Sequence, residues 1–349
     1  MKTKFTFLVS LILLFFLANS INAQQPLSLP DLSQEAKVMQ RIGLTDITVS
    51  YHRPAIKGRE VWGKLVPYNT VWRAGANENT TITFSDDVKI AGKTVPAGSY
   101  GLHMIPTEKE WTIILNKFSK GWGSFGYREE DDFLRFKAIP VSSEEIEYLN
   151  YMFETSEPMR TTLVMHWEKL KVPIEIEVDV HTIVVKKFEE SLRGLNQFFW
   201  QPHNQAAAYC VNNKTHLDKA SEWVDKSIRL NRNFSNLATK SRLAELNGNH
   251  NEAEALMNEA LTLANEAEIN NYGYMLLQNN QIDKAISVFK MNVEKYPESW
   301  NAYDSLAEGY MNKGETDLAI EYYNKALKMV QDDTQKKRIN DTLKVLASN

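Results

Sequence analysis

Four alanines at near-constant spacing constrain this chain more than any other feature. Ala220, Ala253, Ala285 and Ala319 stand 33, 32 and 34 residues apart. Twelve positions before each is a small residue: Ala208, Ser241, Gly273 and Ala307. Four positions after each is a larger apolar one: Val224, Met257, Phe289 and Tyr323. Seven after come Ser227, Ala260, Asn292 and Ala326. Small side chains let two antiparallel helix backbones approach, and the larger residue fills the adjoining hole. A helix pair of this size cannot bury its apolar face alone, so the pairs must stack into an α-solenoid. The pattern predicts about four units over residues 200–333. Ile339, Leu343 and Leu346 predict a capping helix over 334–349.

These residues resemble tetratricopeptide repeats. The strongest match runs from Asn271-Tyr272-Gly273-Tyr274 through Ala285, Phe289 and Pro297. The last unit follows with Tyr303, Leu306, Ala307, Tyr310, Gly314, Ala319, Tyr323 and Ala326. The resemblance implies a scaffold that binds a protein or peptide on a concave face built from the first helix of each unit. That face would carry Gln205, Tyr209, Arg242, Glu245, Asn270, Tyr274, Leu277, Asp304, Glu308 and Met311. Some members of the family clamp a C-terminal carboxylate with paired Lys and Asn. Here Arg242 is the one cation among three acidic groups, which suits a neutral or basic peptide instead.

The N-terminal half follows a different period. Ile47, Val49 and Tyr51 alternate with Thr48 and Ser50, and Trp111, Ile113 and Leu115 repeat the alternation. From Val172 to Val180, apolar residues on one face face acidic ones on the other. Period two with one wet face is an antiparallel strand. Turn chemistry at Ala91-Gly92-Lys93, Pro96-Ala97-Gly98 and Gly121–Gly126 separates the runs. The expected architecture is a multidomain α+β chain. A β-sandwich or barrel-like domain would span 24–181, a connecting helix 182–199, and the solenoid would follow.

One stretch exceeds what strands and turns need. Tyr51-His52-Arg53-Pro54, Lys57-Gly58-Arg59, Trp62-Gly63 and Val71-Trp72-Arg73-Ala74-Gly75-Ala76-Asn77-Glu78 place three arginines, two tryptophans, an amide and a carboxylate close together. With Pro96–Tyr100 and Gly121-Trp122-Gly123, it resembles a family of exported bacterial proteins defined only as a domain of unknown function. That resemblance covers most of residues 30–180 and implies no activity. The residues themselves suggest a ligand site. Arg53, Arg59 and Arg73 could hold a carboxylate or phosphate, and Trp62, Trp72 and Trp122 could stack on a sugar or aromatic ring. Asn77 could orient the ligand, and Glu78 could act as a base in a hydrolase-like alternative. A structural role remains open too, with Trp as cover and Arg73–Glu78 as an internal ion pair. So does a chain acting purely as an envelope assembly factor.

The remaining features set the compartment and exclude some chemistries. Lys2, Lys4, the apolar run Phe7–Leu17 and Ala23 describe a cleavable signal over 1–23. The run is shorter than the ~20 residues that span a bilayer, so the expected product is periplasmic or secreted, without stable membrane insertion. Removing Lys2 and Lys4 from 40 basic residues leaves 38 against 44 acidic ones, which disfavours nucleic acid as a partner. The single cysteine, Cys210, rules out disulfide frameworks and Cys-type metal sites by count. His52, His103, His166 and His181 show no ligand spacing. No cofactor, metal or catalytic constellation is expected.

Overall fold

A computed structural model describes residues 30–348, so the signal expected over 1–23 lies outside the described residues. The described chain divides into two compact units at Val180/His181. Together they hold ten strands and ten α-helices among the described residues.

The first unit is two antiparallel sheets. The six-stranded sheet comprises β1 (Glu35–Ile42), β2 (Thr45–His52), β3 (Thr81–Phe84), β6 (Gly98–Ile105), β7 (Trp111–Asn116) and β8 (Asp132–Ala138), adjacent in that order. The four-stranded sheet orders β5 (Lys93–Val95), β4 (Val88–Ile90), β10 (Arg160–Glu177) and β9 (Val141–Glu157). Alternation decides which face each residue takes. In β2, Ile47 and Val49 are fully buried while Thr48 and Ser50 are not.

Aromatic side chains join the sheets. Tyr51 of β2 meets Tyr151 of β9 edge to face at 4.7 Å. Trp111 of β7 and Trp167 of β10, each 1% exposed, both pack on Trp62 from the long loop after β2. That loop first follows β9, with the Ile56 amide bonded to the Glu147 carbonyl and the Leu149 amide to that of Pro54. It then joins the six-stranded sheet, where Trp72 exchanges both backbone bonds with Met104 of β6.

The second unit is helical. α1 (Val180–Ser191) starts and ends earlier than the connecting helix expected over 182–199, and a 3₁₀ turn at Leu195–Phe198 follows. Four hairpins then run α2 (Trp200–Asn212)–α3 (Leu217–Leu230), α4 (Phe234–Leu246)–α5 (His250–Leu263), α6 (Glu266–Gln278)–α7 (Ile282–Lys295) and α8 (Trp300–Lys313)–α9 (Thr316–Met329). α10 (Asp333–Leu346) closes the series.

Local chemistry explains the repeat. Side chains of Asn233, Asn265, Ser299 and Asp332 cap the N-termini of α4, α6, α8 and α10. The turn inside each hairpin needs a left-handed residue, supplied by Lys214, Gly248, Asn280 and Gly314. Within the third hairpin, small meets large as the spacing requires. A Cβ on Gly273 would lie 2.3 Å from the Phe289 ring. In the second hairpin, the Ser241 hydroxyl donates to the Ala253 carbonyl at 2.7 Å, satisfying a polar group buried in the crossing.

The stacking is uneven. α3 packs on α4 and α7 on α8, but α5 stands off from α6. The core is correspondingly divided. One cluster joins α1 to Leu243, around Ala206, Ala207, Cys210 and Trp223. The other runs from Leu261 to Ile339 around Phe289, Leu306 and Tyr323.

Candidate functional site

The long loop of the first unit sorts its residues into framework and surface. Trp62 and Trp72 belong to the framework. They form a four-tryptophan cluster with Trp111 and Trp167, Trp72 lying parallel to Trp167 at 5.9 Å and its indole N–H donating to the Gly75 carbonyl. Arg59 is also internal to the loop, its guanidinium donating to the Ala55 and Ile56 carbonyls. Arg53 donates to the Leu149 carbonyl and lies over the Tyr148 ring. The carbonyl and ring partners of these four come from β7, β9, β10 or the loop itself, and the sequence alone does not reveal those pairings.

The segment from Ala74 to Thr80 is shaped by close packing. Ala74 has a φ of 52° and is fully buried, with its carbonyl accepting from the hydroxyls of Thr80 and Tyr151. Asn77, also left-handed at φ 53°, donates from its side chain to the Ser33 carbonyl. Much of the distinctive motif is therefore spent on building the loop.

Three of the expected residues converge at the surface. Glu78 and Trp122 are backbone partners, and the flanking bonds run from the Gly123 amide to Asn77 and from the Asn79 amide to Gly121. A terminal nitrogen of Arg73 would lie 3.1 Å from a Cβ on Gly123, which adopts φ +68°. Trp122 is 61% exposed and stacks parallel on Phe125, itself 84% exposed. The Arg73 Nε is buried without a hydrogen-bond partner. Burial lowers the Arg73 pKa, and the Glu78 charge offsets part of that shift.

Glu78 does not pair closely with Arg73. Its carboxylate lies 3.4 Å from Nε2 of His52, which also faces Asp31 at 3.7 Å. The surface thus combines a partly buried guanidinium, an exposed carboxylate and an aromatic platform, with the buried His52 imidazole next to the carboxylate. Such a set can stack a ring and bond polar groups at its edge. Phe125, His52 and Asp31 were not anticipated as site residues. The exposed Phe125 inside the Gly121–Gly126 turn was the available signal.

A polar cluster lies beneath the same turn. Asp132 accepts from the Asn116 amide, the Tyr127 hydroxyl and the Arg135 guanidinium. His103, 1% exposed and packed against Tyr127, has an Nδ1 without a partner. Burial drives its pKa down to about 4, against a smaller opposite pull from Asp132. Its imidazole is therefore neutral at pH 7. The histidines take separate places, His166 bonding Ser143 and Glu144 and His181 bonding Tyr209. Among the described residues no group of three His, Cys, Asp or Glu could hold a metal ion, and no helix is long and apolar enough to cross a membrane.

Several of the expected groove residues of the helical unit are engaged with neighbouring side chains. Tyr209 bonds His181 at 2.9 Å and packs on Phe188 of α1. The segment expected as a connector thus forms part of the first helical core. Asp304, 5% exposed, accepts from Arg338 of α10 at 2.6 Å, so the capping helix occupies this part of the surface. Burial nevertheless raises the Asp304 pKa, with Arg338 pulling it back. Tyr274 donates to Glu308 at 2.8 Å, and Arg242 donates to Asn212. Asn270 Oδ1 and Asp304 Oδ1 are buried without partners. Cys210 sits in the core, where burial pushes its thiol up to about 11.

An opening in this unit lies elsewhere, where α5 stands off from α6. It is a cleft of about 850 Å³ lined by Met257, Leu261, Tyr272, Met275, Leu276, Val288 and Met291, with Arg242, Glu245, His250, Glu254 and Lys284 among its polar residues. Of the expected groove residues, Arg242 and Glu245 line it.

These features define an antiparallel β domain joined to an array of helix hairpins. Residues 33–176 match the family described as Protein of unknown function (DUF2911), and residues 301–333 match the tetratricopeptide repeat. The chain therefore has a domain-of-unknown-function then repeat architecture. None of the curated proteins matches the chain. Similar solved structures include pilF of Pseudomonas aeruginosa, 16% identical over 42% of this chain and 67% of that one, with a TM-score of 0.29. MamA from Desulfovibrio magneticus RS-1 is 17% identical over 42% and 82%, with a TM-score of 0.28. YrrB, described as a TPR protein with an unusual peptide-binding site, is 16% identical over 46% and 84%, with a TM-score of 0.29.

Proposed function

We propose that this protein is an exported binding scaffold. Its helical array holds a protein or peptide partner, and its β domain recognises a second ligand at the Arg73–Glu78–Trp122 surface. The observation that carries the reading is the series of capped, stacked hairpins with a repeat match at 301–333. Such arrays present extended binding surfaces because each unit contacts only its neighbours. Export is supported by Lys2, Lys4, Phe7–Leu17 and Ala23. The β surface suits a ligand with a flat ring face, which Trp122 and Phe125 can stack, and polar groups for Arg73 and Glu78.

The test uses the tagged full-length protein expressed in a cell that exports it. Mass spectrometry of the product should find Gln24 at its N-terminus, and an intact Met1 would refute cleavage. Partners retained from envelope extract should be lost with Gly273→Trp, which breaks the helical core. They should survive Arg73→Ala and Trp122→Ala, whose effect falls on the β ligand. Unchanged retention by Gly273→Trp, with its helical melting transition abolished, would refute the scaffold role of the array.

A further inference from the structure

The cleft between the second and third hairpins has the form of a seat for a helix. Its walls are helical stripes. His250, Ala253, Glu254, Met257, Asn258 and Leu261 line it from α5. Lys284, Ser287, Val288 and Met291 line it from α7, with Gln281 just before that helix, and Tyr272, Met275 and Leu276 from α6, with Asn279 just after it. Spacings of three and four place each set on one helix face. From His250 to Leu261 the wall extends about 16 Å at 1.5 Å per residue, the length of three helical turns.

Two properties choose the occupant. The walls are helices, whose backbone groups are already bonded within the helix, so they offer an extended strand few partners for its own N–H and C=O groups. A helix satisfies its backbone internally and needs only side-chain contact. The centre of the cleft is apolar and rich in methionine, with Met257, Met275 and Met291 able to adapt to a partner surface. Its edges carry opposite charge. Glu254 is exposed on α5 and Lys284 is exposed on α7, and neither has an ion-pair partner among the described residues. Arg242 and Glu245 line the cleft from α4, and Glu245 pairs with His250 of α5 at 2.9 Å.

We propose that this cleft receives an amphipathic helix from a partner protein, with an apolar face flanked by a basic edge and an acidic edge. The basic edge meets Glu254 and the acidic edge meets Lys284. The seat arises because α5 stands off from α6, leaving open a junction that packs tightly between α3 and α4 and between α7 and α8. This assignment rests on the scaffold reading and names its partner class.

The test uses the full chain and three labelled, stapled 16-residue helical peptides sharing one leucine face. Their edges are Lys and Glu, Lys and Lys, or Glu and Glu. Fluorescence anisotropy should show the mixed-edge peptide binding at least about tenfold more tightly than the other two. Glu254→Lys should shift the preference to the Glu/Glu peptide. Met275→Arg, at an exposed floor position, should weaken all binding by about tenfold or more while the melting temperature holds.

No binding of the mixed-edge peptide at about 1 mM, equal binding of all three, or binding unaffected by Met275→Arg would each overturn the assignment. Partner retention from envelope extract unchanged by Met275→Arg would also remove the cleft as the seat. It would leave the scaffold reading intact, since that reading fails only when the broken array of Gly273→Trp still retains partners.

Discussion

Gly273→Ala is the sharpest perturbation of the helical unit because two known effects oppose each other there. In a helix interior, replacing glycine by alanine stabilises by about 1 kcal/mol through backbone entropy. Here the added Cβ would lie 2.3, 2.7 and 2.8 Å from three atoms of the Phe289 ring. The ring has little room to retreat. Phe289 is fully buried, Tyr274 packs edge-on at 5.3 Å, and its far side already crowds Gly309, where a Cβ would lie 3.1 Å from the ring. Relieving the overlap requires a shift of roughly 1 Å in a close-packed crossing, and overpacking of this kind costs about 1–3 kcal/mol or more.

The overlap here is at the severe end, so the net loss should be about 1–2 kcal/mol. In a unit of this size, that lowers Tm by about 3–6 °C. Thermal and urea unfolding of the full chain followed at 222 nm would measure it. The cycle with Phe289→Leu adds a second criterion. With the ring removed, alanine at 273 should cost at least about 1 kcal/mol less than in the parent. A Gly273→Ala protein as stable as the parent, or more so, would refute the account of the crossing.

Three further outcomes follow from buried polar groups. His103, held neutral with a pKa of about 4 in the folded state, binds fewer protons than in the unfolded chain. Stability of the β unit should therefore be full above about pH 6.5 and fall by up to about 3 kcal/mol as pH drops towards 4, a slope that His103→Gln should flatten in acid titrations of Tm. Arg338→Ala leaves Asp304 buried without its cation and should destabilise the helical unit by about 2–4 kcal/mol, allowing for the partial exposure of Arg338. Because burial raises the Asp304 pKa, that loss should grow as pH rises through the carboxylate range, and Asp304→Asn should relieve it. Arg73→Ala should change the Tm of the β unit by no more than about 2 °C, because Glu78 keeps His52 and the Arg73 Nε makes no hydrogen bond. A large drop in its urea midpoint would assign Arg73 to the framework.

The sequence by itself determined what depends on neighbours along the chain. Spacings of 32 to 34 residues between Ala220, Ala253, Ala285 and Ala319 identify helix crossings because close approach demands a small side chain wherever it recurs. Alternation through Ile47, Val49 and Tyr51 identified an inward face because a strand's side chains must alternate. Residues acting at long range were another matter. Trp62, Trp72, Arg53 and Arg59 share a segment with Arg73, Asn77 and Glu78. Only the fold sends the two tryptophans into the cluster with Trp111 and Trp167, and only the fold turns Glu78 out beside Trp122.

The helical unit divides in the same way. The register placed Asp304 on an exposed groove, but α10, 34 residues further on, covers it with Arg338. Nothing in the repeat pattern announces that α5 stands off from α6, since both helices obey the same spacing rules as their neighbours. Periodicity records which face of an element is buried. Whether two such faces meet or leave a cleft depends on the summed fit of side chains from four helices, which is a property of the assembled tertiary structure.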